Sequence, residues 1–200
     1  MSDKLIAGID EVARGCLAGP VYSAAVIWPN DFDENEEKIE LKDSKKLSRK
    51  RRDYLKDYIE EMAIDFSVAS VTNEIVDDIN ILNATFKSMH KAIDNLNVVP
   101  DELLVDGKMF DPYFTDENEL IPHKCVIGGD DKFQNISAAS ILAKVYHDNY
   151  IDELVEDNPE LKVYNWQSNM CYGTAEHLNA IREHGISKYH RKTFGICKEY

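Results

Sequence analysis

Carboxylates stand at three places where a short apolar segment gives way to glycine. Asp10 and Glu11 follow the apolar residues 4–9, Asp106 follows residues 103–105 and precedes Gly107, and Asp130 follows Gly128-Gly129. Because open α/β sheets place their ligands at the carboxyl ends of the strands, we expect these side chains to meet at one edge of a sheet.

Clustered carboxylates repel one another, and divalent cations relieve that repulsion. Mg²⁺ and Mn²⁺ prefer carboxylate and water oxygens, and two such ions about 4 Å apart can catalyse phosphoryl transfer. The alternative is that each aspartate only caps a helix or closes a turn. Spacing alone leaves both interpretations open.

The elements that must position these residues can be predicted in outline. Residues 4–9 and 21–28 are short β-compatible segments separated by glycines, which favours an antiparallel pair. Ser48 can cap a helix that extends to about Ala63, and residues 64–71 follow as a strand. Two short buried strands are predicted at 102–105 and 124–127.

Further helices follow from apolar periodicity. One stripe has alternating spacings of three and four and indicates core packing: Ile79, Leu82, Phe86, Met89, Ile93 and Leu96. Residues 136–157 and about 174–184 form the other predicted helices. The pattern predicts a mixed α/β sheet in residues 1–158 and a small helical part in residues 159–200, together one domain.

The net charge of −14 argues against a protein that coats nucleic acid by bulk electrostatics. Two basic segments stand out within this acidic chain: residues 42–52 carry seven Lys/Arg and one Asp, and residues 177–200 carry five Lys/Arg and two Glu. Either they are solvated faces, or they mark where a polyanion docks.

Composition also indicates the cellular setting. With 44% apolar residues the chain has an ordinary globular composition, and no apolar run is long enough to span a bilayer. The N-terminus lacks the layout of a signal peptide, and the four cysteines are scattered without a C-x-x-C pair. We therefore expect a cytoplasmic protein with reduced thiols and no membrane contact.

Five motifs resemble type 2 ribonuclease H, or ribonuclease HII, and occur in that family's order across residues 6–194. They are GIDEVARGCLAGPV at 8–21, DSKKLS at 43–48, VDG at 105–107, GD at 129–130 leading into ISAASILAKV at 136–145, and YGT at 172–174 with His177, His190-Arg191 and Phe194.

The resemblance implies a ribonuclease-H-like α/β fold, with a mixed five-stranded sheet flanked by helices and a small helical C-terminal part. It also implies an endonuclease that hydrolyses RNA in RNA/DNA hybrids and cleaves 5′ of ribonucleotides in duplex DNA, leaving 3′-hydroxyl and 5′-phosphate ends. By the same resemblance, two Mg²⁺ or Mn²⁺ ions are held by four residues: Asp10, Glu11, Asp106 and Asp130.

Substrate contacts are likewise implied by the resemblance. Lys45 and Lys46 would face backbone phosphate, and residues 49–52 would extend that attraction, although Arg51 and Arg52 also suit the solvated face of a helix. The 2′-hydroxyl would be recognised by Tyr172 and by a turn that the family writes Gly-Arg-Gly and that here reads Ala13-Arg14-Gly15.

The chain departs from the family at several positions near the substrate. Ala13 replaces a glycine, Gly128 a lysine, and Met170-Cys171 a Lys-Gly pair, while residues 146–148 read Tyr-His-Asp rather than Thr-Arg-Asp. We expect these changes to affect substrate binding and to spare the metal site. A zinc site could be drawn from Cys171 and the last three histidines (His177, His184 and His190), but the spacing matches no recognised finger.

Two rival functions remain at this point: a nucleic-acid-binding protein that has lost turnover, and a different metal-dependent phosphoesterase on the same sheet. The complete carboxylate quartet argues against the first, because a pure binder gains nothing from four negative charges beside phosphate. Substrate tests separate the second. The expected partners are RNA/DNA hybrid and ribonucleotide-containing duplex DNA, bound by a monomer that works in replication and repair.

Overall fold

Five strands form one sheet in the order β3-β2-β1-β4-β5. The computed structural model describes residues 4–29, 41 and 47–200. The strands are β1 (Ile6–Val12), β2 (Val21–Ile27), β3 (Asp65–Val71), β4 (Glu102–Asp106) and β5 (His123–Val126). Strands β1 to β3 pair antiparallel, whereas β1–β4 and β4–β5 pair parallel. The predicted mixed sheet and the predicted antiparallel pair of the first two strands are confirmed.

Helices cover both faces of the sheet. Within the described residues, the α-helices are α1 (Arg49–Met62), α2 (Asn73–Asp94), α3 (Gln134–Asp157), the single turn α4 (Trp166–Asn169) and α5 (Ala175–His184). Short 3₁₀ helices span Gly129–Asp131, Pro159–Tyr164 and Gly195–Glu199. The hydroxyl of Ser48 accepts the Arg51 amide at 3.3 Å, which confirms the predicted cap of α1. In the described part of the chain, no helix has the length and apolarity to cross a membrane.

Alternation along the strands sends apolar side chains into two cores. Ala7 and Ile9 of β1 pack with Met89 of α2 on one face. On the opposite face, Ala24 and Val26 of β2 pack with α1 and α3. Because successive side chains of a strand point to opposite faces, the sheet packs against α2 on one face and against α1 and α3 on the other.

Helix α2 begins six residues before the predicted apolar stripe and is interrupted within it. Asn80 has φ 66° and ψ 164°, outside the helical region, and its Oδ1 accepts the amides of Leu82 (3.0 Å) and Asn83 (3.2 Å). Asn80 therefore caps the second segment. The first segment is held elsewhere, because Asp77 accepts the amides of Lys192 and Thr193. One periodic stripe thus predicted the packing of α2 but not its kink.

The C-terminal part packs on the loop between β1 and β2. Leu17 and Ala18 of that loop share a buried cluster with Trp166, Ile181 and Cys197. Main-chain bonds reinforce the contact, since the Leu17 amide donates to Cys171 O at 2.8 Å. Residues 159–200 therefore share a core with the loop that follows Asp10 and Glu11.

Gly8 allows β1 to touch the start of α3. A Cβ atom at this position would lie 2.2 Å from the carbonyl carbon of Asn135 and 2.4 Å from the Ile136 amide nitrogen. Both are backbone atoms that no side-chain rotation can move. The absence of a side chain at Gly8 therefore brings α3 close enough to place its polar residues beside Asp10.

We predict that Gly8→Ala lowers the free energy of unfolding by about 1–3 kcal/mol or more, because the overpacked backbone must shift. Urea denaturation measures the loss. Gly15→Ala is the matched control: an added Cβ there would lie 3.8 Å from the Tyr172 ring, an ordinary contact, so we expect a change below about 1 kcal/mol. Equal stability of the two variants would contradict the assigned contact.

Candidate active site

Asp10 and Asp106 lie on neighbouring parallel strands. Ile9 pairs with Val105, so the next residue of each strand is an aspartate, and Asp106 ends β4. The prediction that β1 stops before Asp10 is wrong, because β1 continues to Val12. The reason is its antiparallel pairing with β2, which extends past the end of β4. The carboxylates nevertheless stand where the parallel pairing ends.

Asp10 is a buried and strongly perturbed carboxylate. Only 5% of the residue is exposed, and it accepts the Glu11 amide at 2.7 Å and the hydroxyl of Ser140 from α3. Burial raises the pKa of Asp10 well above its usual value, and the charges of Glu11 and Asp106 raise it further. The two hydrogen bonds oppose that rise only in part.

Glu11 and Asp106 are each held by a different partner. Burial raises the pKa of Glu11, and Arg14, whose Nη1 lies 3.1 Å from Glu11 Oε1, lowers it again in part. Asp106 Oδ1 accepts the Gly129 amide at 2.7 Å. This bond connects the end of β4 to the 3₁₀ turn that carries Asp130.

Asp130 is buried, and its turn is fixed to the start of α3. Its carbonyl oxygen accepts the hydroxyl of Ser137. An added Cβ at Gly129 would lie 2.5 Å from Ile136 Cδ1, so glycine also permits close packing here. The turn thereby brings Asp130 to the same edge of the sheet as Asp106.

Asp10, Glu11 and Asp106 interact electrostatically, yet they do not form a finished coordination shell. Among residues 4–29, 41 and 47–200, no three His, Cys, Asp or Glu side chains are already arranged to hold a metal ion. The donor set nevertheless suits a hard divalent cation, because buried, mutually repelling carboxylates exchange their protons for such an ion with a gain in stability. Two of the residues considered for a zinc site are in unsuitable surroundings, since His177 accepts a hydrogen bond from Trp166 and His184 is exposed.

A cleft of about 330 Å³ opens beside these carboxylates. Its wall includes Glu11 and Asp106, and its cationic side chains are Arg14 and Lys108. The floor is apolar and comes from the second segment of α2, where Phe86 is one of the lining residues. Cations beside the carboxylates suit a phosphate backbone, and the apolar floor suits a sugar or a base.

Tyr172 lies against the Ala13-Arg14-Gly15 turn, and these are the two features to which the family resemblance assigns ribose recognition. Its backbone forms an antiparallel bridge with Cys16, and its hydroxyl donates to the Cys16 sulfur. The edge of its ring lies over Gly15, 3.8 Å from the point where a Cβ atom of that residue would stand. Burial raises the pKa of the Tyr172 phenol, which stays protonated. Tyr172 is nevertheless partly accessible, with 39% of the residue exposed.

Three of the departures from the family pattern keep a side chain in a backbone conformation that favours glycine. Ala13 has φ 69°, Met170 has φ 47° and Cys171 has φ 65°, and Ala13 and Cys171 are buried. Their side chains accept this left-handed conformation at a cost of roughly 1–2 kcal/mol each. The turn geometry is therefore retained without glycine.

Arg191 is a residue whose part in the site the sequence did not reveal. Its side chain is fully buried and donates to three carbonyl oxygens, those of Arg14 (3.0 Å), Gly19 (2.9 Å) and Pro20 (3.1 Å). The only signal was its place in the His-Arg motif, because a lone arginine otherwise suggests a solvated residue.

The basic segment at 42–52 is described only from residue 47 onwards. Lys45 and Lys46 lie outside the described residues. Arg52 does not lie on a solvated face, because it is half-buried and donates to Leu47 O at 2.6 Å and to Asp148 at 3.4 Å. Arg51 is exposed and stacks 5.1 Å from the Tyr54 ring. Arg52 thus joins α1 to α3 rather than offering a free cation.

Comparison with known proteins identifies relatives of the chain. The family model described as Ribonuclease HII matches residues 7–197. A ribonuclease HII from Christiangramia forsetii is 48% identical over 194 residues, which cover 97% of this chain and 92% of that protein.

Solved structures share the fold. The crystal structure of the ribonuclease H2 from Pyrococcus horikoshii OT3 superposes with a TM-score of 0.76 at 22% identity, covering 97% of this chain and 95% of that one. Bst-RNase HIII in complex with Mn²⁺ superposes with a TM-score of 0.72 at 18% identity, covering 98% of this chain and 68% of that one. The expected ribonuclease-H-like fold is confirmed.

The raised pKa of Asp10 predicts that this carboxylate destabilises the metal-free protein. A proton held by the native state and released on unfolding makes stability fall as pH rises from near 4 through the folded pKa. Asp10→Asn should therefore raise the unfolding midpoint at about pH 8 in chelator, by about 2–4 °C for each kcal/mol gained, and the gain should shrink towards pH 4.

Asp116→Asn is the matched control, because Asp116 is exposed and the same charge is removed. Thermal unfolding followed by circular dichroism at several pH values measures both variants. If Asp10→Asn gains no more stability than Asp116→Asn at about pH 8, the carboxylate is not under the repulsion described.

Proposed function

The chain belongs to the ribonuclease HII family, and on that premise we propose that it cleaves duplex DNA on the 5′ side of embedded ribonucleotides. The family consists of metal-dependent endoribonucleases of the type 2 ribonuclease H class, which act on the RNA strand of RNA/DNA hybrids. The observation that carries the finer proposal is the position of Tyr172 against the Ala13-Arg14-Gly15 turn, which directly follows Asp10 and Glu11 in the chain.

We further propose that Asp10, Glu11, Asp106 and Asp130 hold two Mg²⁺ or Mn²⁺ ions during the reaction. The electrostatic repulsion among Asp10, Glu11 and Asp106 supports this assignment, and Mn²⁺ is bound in Bst-RNase HIII, which has the same fold. When bound by these four residues, such ions would supply a polarised water and a counter-charge for the departing 3′-oxygen, and the products would carry 3′-hydroxyl and 5′-phosphate ends.

The chain's own residues would arrange the substrate. Ser140 and the Glu11 amide orient the Asp10 carboxylate, and Arg14 orients Glu11 from the side of the cleft. Arg14 and Lys108 are placed to attract the phosphates that flank the cleavage point. Lys45 and Lys46 would add phosphate contacts on the strength of the family motif.

Recognition of ribose is assigned to Tyr172 and the turn. The 2′-hydroxyl both donates and accepts, so backbone groups of residues 13–15 can bind it while the exposed side of the Tyr172 ring packs on the sugar. The phenol stays protonated and is already bonded to Cys16, which fixes the ring in place. A deoxyribose would leave these polar groups without a partner.

The proposed setting is the cytoplasm, where a monomer of this kind would remove ribonucleotides and RNA primers during replication and repair. The four cysteines carry free thiols, and three of them are buried, which suits a reducing compartment.

The first test offers a duplex with one embedded ribonucleotide, in parallel with Mg²⁺, Mn²⁺ and chelator. The wild-type protein should cut 5′ of the ribonucleotide with either metal and not in chelator. Asp10→Asn should lower the single-turnover rate by at least about 1,000-fold, because the nearly isosteric change removes a ligand charge. Substantial Mg²⁺-dependent cleavage by a folded Asp10→Asn protein would contradict the proposed metal site.

The second test concerns ribose recognition. Tyr172→Ala should lower the single-turnover rate on the embedded ribonucleotide by on the order of 100-fold, because a displacement of about 1 Å at the reacting phosphate costs that much. Binding of the duplex should change by less than about threefold, since phosphate contacts lie elsewhere.

Ala13→Gly is the companion variant. The Ala13 side chain is buried among C-terminal residues, so its removal should not open the ribose site, and cleavage should stay within about threefold of wild type. Relief of the left-handed strain and loss of one buried methyl group nearly offset each other, so stability should change by less than about 1 kcal/mol. If Tyr172→Ala cleaves at the parent rate, the ribose site is elsewhere; a large gain for Ala13→Gly would show that the methyl group obstructs it.

A further inference from the structure

Two histidines lie in the core of the C-terminal part and take no part in the reaction described above. His177 of α5 and His190 are both fully buried, with their Nε2 atoms 3.2 Å apart. Aromatic rings enclose them: Tyr164 packs edge-on to His190 at 4.7 Å between centroids, and Trp166 lies 5.2 Å from it. Such a buried polar pair needs a complete set of hydrogen-bond partners.

The partners at the two ends of the pair assign every ring proton. His177 Nδ1 lies 3.0 Å from Tyr172 O, which only accepts, so Nδ1 carries the proton. His190 Nδ1 lies 2.9 Å from the Ser187 amide, which only donates, so the proton of His190 is on Nε2. His190 Nε2 therefore donates to His177 Nε2, and the hydrogen bonds run in one direction from Ser187 to Tyr172.

Both rings are held in their neutral form. Burial lowers the pKa of His177, and burial together with the neighbouring His177 lowers the pKa of His190 to about 4. The indole of Trp166 also donates to His177 Nε2, at 2.9 Å. A proton on His177 Nε2 would face two N–H groups, so the neutral Nδ1–H tautomer is the one that the surroundings admit.

The receiving end of this series of bonds is the backbone of the ribose-facing tyrosine. Tyr172 O accepts the His177 ring at 3.0 Å and the Thr174 amide at 2.8 Å. The Tyr172 amide donates to Asn169 O at 2.9 Å, and the phenol donates to Cys16. Of these contacts, the His177 bond is the one that links Tyr172 to α5.

The donating end is attached to the loop that follows the carboxylates. His190 forms an antiparallel bridge with Ala18, and the next residue, Arg191, donates to the carbonyls of the same loop. The histidine pair thus joins two segments that both border the Ala13-Arg14-Gly15 turn: the 18–20 segment through His190 and Tyr172 through His177.

We propose that the His190–His177 pair is a positioning device that sets the height of Tyr172 over the Arg14-Gly15 turn and thereby the selectivity for ribose over deoxyribose. The proposal rests on the function proposed above for Tyr172. Neither histidine touches substrate; His177 acts through the Tyr172 carbonyl, and His190 acts by fixing the tautomer and orientation of His177.

The first test uses the wild-type protein. Long-range ¹H–¹⁵N spectra of the histidine rings at about pH 7 should show the Nδ1–H tautomer for His177 and the Nε2–H tautomer for His190, with His177→Asn and His190→Asn samples assigning the signals. An Nε2–H tautomer or a protonated ring at His177 would overturn the proposal, because the Tyr172 carbonyl would then have no donor there.

The second test separates the two sides of the His177 ring. Asparagine can place its amide nitrogen near Nδ1 and keep the donor to Tyr172, whereas glutamine places its amide near Nε2 and keeps the acceptor for Trp166 and His190. His177→Gln should lower the single-turnover rate on an embedded ribonucleotide by about 10- to 100-fold, with duplex affinity within about threefold. His177→Asn should retain the rate within about fivefold, although it should melt at a lower temperature because two buried N–H groups lose their acceptor.

The expected orders of stability and of activity are therefore opposite: His177→Gln should be the more stable variant and His177→Asn the more active one. His184→Gln, on the exposed side of the same helix, is the control and should match wild type in both respects. If activity follows stability across the variants, the pair serves packing alone and the proposal is wrong.

Failure of the proposed function gives a different result. If wild-type protein does not cleave the embedded ribonucleotide, or if Tyr172→Ala cleaves it at the parent rate, the ribose site is misassigned whatever the histidine tautomers are. If Tyr172→Ala is impaired and His177→Gln is not, the ribose site stands and the positioning role of the histidines is refuted.

Discussion

The guanidinium of Arg191 donates to the carbonyl oxygens of Arg14, Gly19 and Pro20 from a fully buried position, and the geometry of the site depends on these bonds. Burial lowers the pKa of Arg191, which reflects the cost of placing a cation in the core. Three carbonyl dipoles and the Phe194 ring at 5.1 Å offset that cost. Since residues 14–20 contain little regular structure, this side chain supplies the order that a strand or helix would otherwise give.

Several features of the site lower the stability of the folded protein. Asp10 is buried beside two other carboxylates, and Ala13 and Cys171 occupy backbone conformations suited to glycine. Such costs persist only where the surroundings over-determine the conformation. Here the surroundings are the close contact of β1 with α3 at Gly8 and the C-terminal cluster around Trp166, so the parts of the chain that perform no chemistry hold the strained parts in place.

Several features of the fold could be predicted from short-range patterns. The Ser48 cap and the antiparallel pair of the first two strands follow from local rules of hydrogen bonding and periodicity, and both are present. The kink at Asn80 did not follow from the apolar stripe, which continues across it, and the helical segment before the kink is bonded through Asp77 to residues 192 and 193, over a hundred positions away. The end of β1 was misplaced for a related reason: the strand is prolonged by its partner β2, and strand pairing is not visible in a single segment.

The sequence by itself determined the identity and order of the carboxylates, the family, and the tyrosine beside the turn, because these depend on residue type and spacing along the chain. The tertiary structure decided the environment of each residue. Only folding shows that Arg191 is buried, that Arg52 bonds to a carbonyl, and that His177 and His190 form one directed series of hydrogen bonds. The physical reason is that burial and hydrogen-bond partners come from segments distant in sequence. The residue type of a charged or polar side chain does not reveal whether water or the protein core surrounds it.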